Sequence, residues 1–459
     1  MESPPAILVR PSRVRFLIVG LCIAMAMLLY LDRFAISPVT STLLTELKVN
    51  KEQLGRTTFF AFFFAYALMQ IPAGWLSDTF GARRTLAAYV VGWSLATIGM
   101  GLVNGLAAIF FVRFLLGITQ AGAYPAAASL LKRWIPYRAR GLANSSVSMG
   151  GRAGGLLAFA VTPSLMLVAG RLLGWESGRW RVVFGLFGAL GLAWTALFLW
   201  LYRDSPRQHP WCNDAERELI SAGPHGSTSS DASTKPGRRF DLPFRALFTS
   251  RGVWLMCLIN FCLNVGWVFL VSWLPLYLIE TYGTYVTKNL GDREVVAGLM
   301  TALTGLAGMT GSVLGGLATD FLVGRFGRIW GRRLPGLCAG FFVAAAYLVV
   351  PLLPNVWWFV GTMALVSLLI DFSLGAIWAS YQDIGGRHVA SVLGCANMFG
   401  SFGAAIFTWL SGRLADQKHW SAVFALSAAA MVIATTSWLL FDPTRPLIRD
   451  EEAQIDDVG

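Results

Sequence analysis

The sequence predicts an all-α membrane protein with twelve transmembrane helices in two six-helix halves, and three observations support this. First, 55% of the 459 residues are hydrophobic and only 14% are charged, whereas soluble domains carry about 25% charged residues. Second, the apolar residues fall into runs of about 20, the length of a helix that spans a bilayer. Third, one long polar segment, 203–251, has six such runs before it and six after it.

The apolar runs define twelve predicted spans. They lie at roughly 14–38, 56–77, 85–104, 107–131, 141–168, 181–202, 252–280, 295–322, 334–353, 357–382, 390–412 and 420–441. The first run lacks a small-residue cleavage site, so we expect it to remain as a helix. The chain is therefore divided into an N-terminal half (1–202), a linker (203–251) and a C-terminal half with a short tail (252–459). Gly223-Pro224 and the Ser/Thr/Gly-rich stretch 226–236 predict that the linker is flexible.

The distribution of Lys and Arg predicts the orientation. With a cytoplasmic N-terminus, 24 of the 37 Lys and Arg residues fall in cytoplasmic segments, which is the positive-inside pattern. We therefore expect a multi-pass protein of the plasma (cell inner) membrane with both termini in the cytoplasm. The net charge of +12 is scattered over separate loops, which argues against nucleic acid as a partner.

Other classes of function lack the residues they need. The six Cys show no metal or disulfide spacing, and the four His all lie in loops. No Gly-rich Lys motif of the Walker type is present, so ATP is not the expected energy source. The spans contain no nucleophile–base pair, so we expect no enzyme and no cofactor.

The two halves share a short motif. Gly74-x-x-x-Asp78 follows span 2, and Gly316-x-x-x-Asp320 follows span 8, 242 residues later. Two six-helix halves related by a repeat form a transporter architecture, in which the substrate site lies between the halves near the middle of the membrane.

These residues resemble the major facilitator superfamily along the whole chain, because Gly74–Arg84 is similar to its signature loop between helices 2 and 3. Further stretches resemble the anion:cation symporter family within it. They include Tyr30-Leu-Asp32-Arg33, Tyr66-x-x-x-Gln70-x-Pro72, Arg113-Phe-Leu-Leu-Gly117-Ile-Thr-Gln120 and Trp273-Leu-Pro275. The resemblance implies transport of organic anions, commonly sugar acids and other carboxylates, often together with a proton.

Three positions depart from that family. Gln120 stands where proton-coupled members usually carry Glu, so the resemblance does not assign H⁺ rather than Na⁺ as the coupled ion. Arg152 in span 5 replaces an expected small or amide residue, and Asp371 is an unexpected carboxylate in span 10.

Five charged residues lie well inside the spans, away from their ends: Asp32, Arg33, Arg113, Arg152 and Asp371. A charge at the centre of a spanning helix costs roughly 2.5–3.5 kcal/mol on insertion scales, so such residues usually face a cavity or a partner. Three positive and two negative charges favour an anion, and guanidinium groups match the fork of a carboxylate. We therefore predict Arg33, Arg113 and Arg152 as substrate ligands, and Asp32 and Asp371 as candidates for ion coupling.

Each charge also has a structural alternative. Arg33 and Arg113 could pair with Asp32 or with helix-end carbonyls, and Arg113 is the best expected partner of Asp32. Arg152 and Asp371 could neutralise one another across the halves rather than bind substrate or a coupled ion.

Uncharged candidates join this set on the strength of the resemblance. They are Tyr66, Gln70, Gln120, Asn264 and Asn397. Seven glycines allow close helix approach, and they predict that spans 5 and 8 pack tightly across the halves: Gly150, Gly151, Gly154, Gly155, Gly308, Gly311 and Gly315.

A second set of residues is predicted to gate access: Gly74, Asp78, Arg83, Arg84 and Asp320. An Asp at a helix end can bind the amides of a neighbouring helix start, and the Arg pair can reach carboxylates or carbonyls nearby. We expect these contacts to form when the cytoplasmic side is closed, as a latch on one of two access states.

The sequence thus favours a monomeric secondary active transporter that moves a small organic anion through the lipid bilayer by alternating access. The rivals are an efflux transporter for amphipathic compounds and a membrane sensor that has kept a transporter fold.

Overall fold

The structure is a computed structural model that describes residues 10–136, 139–174, 177–221, 244–445 and 447. Every regular element within these ranges is a helix. Eleven helical segments among the described residues are long and apolar enough to cross a membrane.

The longest helical segment accounts for two spans. Arg293–Val349 contains 57 residues, or about 85 Å of helix, whereas the apolar core of a bilayer is about 30 Å thick. At Gly327 the backbone leaves the helical region, with φ 75° and ψ 174°, a conformation that glycine adopts without a Cβ clash. Spans 8 and 9 therefore meet at Gly327, and the predicted twelve-helix, two-half architecture is confirmed.

The N-terminal half contains spans 1 to 6. Span 2 begins with π-helical turns at Gly55–Phe60, and span 4 is broken after Gln120. The helices are Val14–Phe34, Lys51–Leu54 with Ala61–Phe80, Ala82–Leu102, Leu106–Gln120 with Ala123–Trp134, Arg140–Leu173 and Arg179–Leu201. A short helix, Thr40–Glu46, follows span 1.

The C-terminal half contains spans 7 to 12. Spans 7 and 10 are broken at Trp273 and Ser373, and the second part of span 7 runs to Asn289, beyond the predicted end at 280. The helices are Arg251–Ser272 with Leu274–Asn289, Arg293–Val349, Val356–Phe372 with Leu374–Gly385, Val389–Asp416 and Trp420–Leu440.

Two parts of the linker are described, 203–221 and 244–251, and the second contains the short helix Phe244–Thr249. The first part is folded against the N-terminal half, which differs from the flexible linker predicted. Its helix Asp214–Ser221 carries Glu216, which is fully buried. The Glu216 carboxylate accepts hydrogen bonds from the backbone amides of Val14 (3.2 Å) and Arg15 (3.1 Å) and from the Ser12 hydroxyl. It therefore caps the start of span 1, where the helix dipole favours a negative charge. The stretch 226–236 lies outside the described residues.

We call the end of the bundle at 203–221 the linker end and the other end the distal end. At the distal end, Lys51 lies 2.8 Å from Glu280, and Asp416 accepts the backbone amides of Lys51 and Glu52, both at 2.8 Å. We call Lys51, Glu280 and Asp416 the distal lock. The hydrogen bonds and ion pairs that join the halves, among the described residues, lie at this end or at the depth of the central cavity.

The predicted contact between spans 5 and 8 is present, but different glycines make it. A Cβ on Gly298 would meet Pro163, and one on Gly305 would meet Leu156, so these are the positions of close approach across the halves. The glycines named from the sequence pack within their own halves. Gly150 and Gly154 approach span 1, and Gly311 and Gly315 approach span 10.

Candidate functional site

A cavity of about 220 Å³ lies between the two halves. Residues from spans 1 and 5 form one wall, and residues from spans 7, 8 and 10 form the other. Its polar lining consists of Tyr30, Arg152, Asn260, Asn264, Ser367 and Asp371, together with threonines of span 8. Phe34, Phe159 and Trp267 contribute aromatic surface. The site is where the repeat architecture predicts it.

Arg152 and Asp371 form an ion pair across the cavity. The guanidinium Nη1 bonds to Oδ2 of Asp371, and Nη2 lies 3.3 Å from Oδ1. The side chain of Arg152 is 26% exposed and that of Asp371 is 8% exposed. Arg152 and Asp371, the two charges that depart from the family pattern, thus join the N-terminal half to the C-terminal half through two hydrogen bonds. This geometry matches the alternative in which they neutralise one another.

Arg33 lies in an aromatic enclosure next to Tyr30 of the cavity wall, and like Arg113 it does not itself line the cavity in this state. Its guanidinium carbon lies 4.8 Å from the ring centroid of Tyr30 and 4.7 Å from that of Tyr66. Its Nε donates to the side-chain oxygen of Gln120 at 3.0 Å, and its buried Nη2 has no hydrogen-bond partner among the described residues. The group that fixes Arg33 is an uncharged amide, and among the described residues no carboxylate forms an ion pair with this cation within 4.0 Å.

Arg113 is placed differently from the expectation that it faces the substrate. Its side chain is 2% exposed and is absent from the cavity lining. Its Nε donates to the backbone oxygen of Thr58 (2.9 Å), and Nη2 donates to that of Arg33 (3.4 Å). These contacts match the structural alternative, because they tie spans 1, 2 and 4 together.

Asp32 points away from the cavity. It is fully buried, and neither carboxylate oxygen has a hydrogen-bond partner among the described residues. The nearest polar groups are the side chains of Trp93 and Thr97 in span 3 and the guanidinium of Arg113. Arg113 is therefore a neighbour of Asp32, but within the described residues the two form no ion pair at 4.0 Å or less, because its donors are taken by carbonyls.

The uncharged candidates are divided between the cavity and its surroundings. Asn264 lines the cavity, and its Nδ2 donates to the backbone oxygen of Asn260 at 2.9 Å. Gln120 is fully buried between spans 1 and 4. Tyr66, Gln70 and Asn397 are partly buried and do not line the cavity in this state.

Sequence reasoning missed several residues that the structure brings to the site. Tyr30 and Tyr124 have ring centroids 6.4 Å apart, and Tyr30 lies one turn from Arg33 on the same helix. Asn260 lies one turn before Asn264, so both amides share one face of span 7. Spacing of three or four residues from a charged or amide candidate was the signal that could have identified these residues.

The predicted gating residues lie at the linker end. Arg83 donates to the backbone oxygen of Leu199 (2.8 Å) and lies 3.9 Å from Asp204. Leu199 belongs to the N-terminal half and Asp204 to the start of the linker, so these contacts do not join the halves. Among the described residues, no hydrogen bond or ion pair bridges the halves at this end. Arg84 and Asp320 are exposed, Gly74 has open space around its Cα, and the side chain of Asp78 lies outside the described residues.

The second half has its own charge cluster at the linker end. Asp383 accepts a hydrogen bond from Nε of Arg332 at 2.9 Å and lies 3.7 Å from Nε of Arg328. Here the carboxylate at the end of span 10, rather than Asp320, holds the arginines between spans 8 and 9.

Comparison with known proteins gives the family. The model of the Major Facilitator Superfamily matches residues 22–384 and 284–455. A protein of Cupriavidus necator named "Probable sulfoacetate transporter" is 30% identical over 441 residues, which cover 94% of each chain. The "Probable galactarate/D-glucarate transporter" of Escherichia coli is 28% identical and covers 88% of this chain and 89% of its own.

A solved structure has the same fold. The crystal structure of a bacterial homologue of the human lysosomal transporter Spinster superposes with a TM-score of 0.73 at 19% identity. The match covers 96% of this chain and 97% of that one. The protein is therefore a multi-pass membrane transporter and not an enzyme, and it belongs to the Major Facilitator Superfamily.

Proposed function

We propose that this transporter carries a small organic anion by alternating access, driven by a gradient rather than by ATP. Two of its relatives are named for sulfoacetate and for galactarate or D-glucarate, which are small acids. The proposed substrate class is therefore small carboxylates, with sugar acids as the leading members.

The uncompensated charge of Arg33 is the observation that carries this proposal. The five buried charges leave one positive charge in excess, and the ion pair of Arg152 and Asp371 is neutral as a unit. Arg33 has an amide partner and an unpartnered Nη2, in contact with a tyrosine of the cavity wall. A buried cation without a counter-charge is costly, and an anion that enters the site removes that cost.

Alternating access is supported by the distribution of contacts between the halves. The distal end is joined by the distal lock and by the bond from the Ser37 hydroxyl to the backbone oxygen of Ser272 (2.9 Å). The central cavity is crossed by one ion pair, and the contacts of the linker-end arginines stay within one half. This pattern supports a state in which the halves are held together at the distal end. In the other access state, the halves would come together at the linker end instead.

Counterflow in proteoliposomes tests the proposal. Vesicles loaded with unlabelled D-glucarate or sulfoacetate should accumulate the same labelled anion, and protein-free vesicles should not. A sensor would bind the anion without exchange, and an efflux transporter for amphipathic compounds would exchange an amphipathic cation such as ethidium instead. Absence of exchange for every small carboxylate tested, with protein that is folded by thermal unfolding, would refute the proposal.

We also propose that the linker end is cytoplasmic and that the protein resides in the plasma membrane. The excess of Lys and Arg in the segments at that end supports this. Single cysteines at Ser3→Cys and Ser229→Cys should be labelled from the same, cytoplasmic side. Labelling of either position from outside intact cells would overturn the topology.

A further inference from the structure

The ion pair of Arg152 and Asp371 places a carboxylate on a cavity-lining guanidinium. Both oxygens of Asp371 engage both terminal nitrogens of Arg152, which is the two-point geometry that a guanidinium offers to any carboxylate. The Asp371 side chain thus shows that the cavity has room for an acid group at Arg152. Because both residues line the cavity, a solute in it can reach the guanidinium that Asp371 now holds.

We propose that Arg152 is a second binding site for an acid group and that Asp371 occupies it only when substrate is absent. The substrate is then a dianion, with one acid group for Arg152 and another for Arg33. This inference rests on the proposed function, because it assumes that the carrier takes an organic anion.

The first acid group has a separate place at Arg33. That side chain is 7% exposed, and its Nη2 has no partner among the described residues. It contacts the ring of Tyr30, which also lines the cavity beside Arg152. Both cations are therefore next to one tyrosine, although Arg33 itself does not line the cavity in this state, and the proposed diacid reaches Arg33 by extending past Tyr30.

The surroundings of Asp371 allow it to leave Arg152. Ser367 lies one turn earlier on span 10 and lines the cavity, so its hydroxyl is a ready donor for a displaced carboxylate. On span 8 a glycine faces both groups. A Cβ on Gly308 would stand 2.6 Å from Oδ2 of Asp371 and 2.6 Å from Oγ of Ser367, so the missing side chain at this position leaves the room that both groups share.

Displacement of Asp371 also breaks the ion pair that joins the halves at the cavity. Arg152 belongs to the N-terminal half and Asp371 to the C-terminal half. Substrate binding therefore replaces a link between the halves with a link between Arg152 and the solute. This couples occupancy of the site to the freedom of the halves to move.

Matched acids test the inference in purified protein. D-glucarate and D-gluconate share a six-carbon polyol chain, but the first carries a carboxylate at both ends and the second at one end. Binding of each is measured by titration calorimetry to wild type, Asp371→Asn, the double variant Arg152→Gln/Asp371→Asn and the control Arg171→Gln, which changes an exposed arginine on the same span. A second comparison uses sulfoacetate, which has two acid groups, and acetate, which has one, on a shorter carbon chain.

Asp371→Asn leaves Arg152 without a competing carboxylate, so this variant should bind D-glucarate about tenfold or more tightly than D-gluconate and about tenfold more tightly than wild type does, since a hydrogen-bonded charged contact typically corresponds to at least that factor. Misfolding does not produce such a gain. The double variant Arg152→Gln/Asp371→Asn, in which neither charge is left unpaired, should lose this preference, and Arg171→Gln should behave as wild type. No gain for D-glucarate in Asp371→Asn, or a gain that persists in the double variant, overturns the inference.

The same data separate this inference from the proposed function. Tight binding of monoacids and diacids alike, with Asp371→Asn unchanged, would leave an anion carrier and refute the second acid-group site. Absence of binding for every acid in wild type would refute both.

Discussion

Arg33 and Gln120 join spans 1 and 4 through a hydrogen bond of 3.0 Å from the guanidinium Nε to the amide oxygen. The amide nitrogen of Gln120 in turn donates to the backbone oxygen of Leu29, also at 3.0 Å. Gln120 therefore fixes the orientation of Arg33 with both ends of its amide. A glutamate at this position would still accept the hydrogen bond from Arg33, but it would lose the bond to Leu29 and would cancel the charge of Arg33. The glutamine therefore keeps a positive charge beside the cavity.

We therefore predict that Gln120→Glu weakens binding of D-glucarate about 10- to 100-fold at pH 7.5, because the new carboxylate competes for Arg33. Titration calorimetry measures the change. Gln382→Glu, the same substitution at an exposed position of span 10, should bind as wild type does. Unchanged or tighter binding by Gln120→Glu would contradict the role given to Arg33.

Arg33 and Arg113 should differ when each is changed to Lys. Arg33→Lys keeps the charge but loses the fork, so it should weaken anion binding while the unfolding temperature stays near that of wild type. Arg113→Lys loses the bonds to the carbonyls of Thr58 and Arg33, so it should lower the unfolding temperature. The two readouts are anion titration and thermal unfolding of each variant. A selective loss of binding in Arg113→Lys, with normal stability, would show that Arg113 is a ligand after all.

The architecture followed from the sequence because hydropathy, span length and charge bias are properties of single segments. The twelve spans and the division into halves needed no knowledge of how helices are rotated. The pairing of Arg152 with Asp371 did need it, because the two residues are 219 positions apart on helices of different halves. Sequence reasoning could state that pairing only as one of two alternatives.

Arg113 shows most clearly what could not be predicted from the sequence alone. Its partner is the backbone oxygen of Thr58, which lies in the π-helical turns at Gly55–Phe60. A π-helical segment changes the hydrogen-bond register of the backbone, and no side-chain pattern in span 2 predicts such a segment. Depth in the membrane was therefore insufficient to decide whether this cation faces substrate or the interior of its own half.

Loss of the distal lock should open the distal end. Asp416→Asn weakens the cap on two backbone amides, and Lys51→Ala removes the ion pair with Glu280. Each exposed pair contributes about 0.2–1 kcal/mol, so the open population should rise by up to about fivefold. The reporter is Leu270→Cys in the cavity wall, with the six native cysteines replaced, labelled by an impermeant maleimide from the distal side of sealed vesicles.

The control for the distal lock is Lys288→Ala, which removes one positive charge from an exposed position at the same end. It should leave the labelling rate of Leu270→Cys unchanged. Equal acceleration by the control and by Lys51→Ala would mean that net charge, rather than the lock, sets the equilibrium.

At the linker end, Asp78→Asn should slow the switch between access states and leave anion binding intact, because the residue lies at the end of span 2, far from the cavity. Arg83, in the same loop, already holds Leu199 and Asp204. Counterflow rate and equilibrium affinity are measured on the same preparation, with the exposed Asp214→Asn as control. Lost affinity with an unchanged distribution of states would rule out a gating role.

Asp32 and Asp371 are the candidates for ion coupling among the charges well inside the spans, because Gln120 carries no titratable proton. They occupy different surroundings. Asp371 lines the cavity and holds Arg152, so substrate that takes Arg152 changes its electrostatic environment directly. Asp32 is enclosed by span 3 and Arg113 and does not line the cavity. A coupling residue must exchange its proton with water and respond to substrate, and Asp371 meets both requirements in this state.

We therefore predict that Asp371→Asn abolishes accumulation of D-glucarate driven by an imposed pH gradient in proteoliposomes and spares counterflow, which needs no net proton movement. Asp32→Asn, the matched change at the other buried carboxylate, should still accumulate D-glucarate. Any reduction in its rate should match the reduction in the amount of folded protein. Accumulation that survives in Asp371→Asn but is lost in Asp32→Asn would move the coupling site to Asp32. If both single variants and the double variant accumulate substrate, neither carboxylate carries the proton. Wild-type protein that ignores the pH gradient but responds to a Na⁺ gradient would exclude proton coupling altogether, and the neutral Gln120 in place of the usual glutamate is the feature of the sequence that agrees with that outcome.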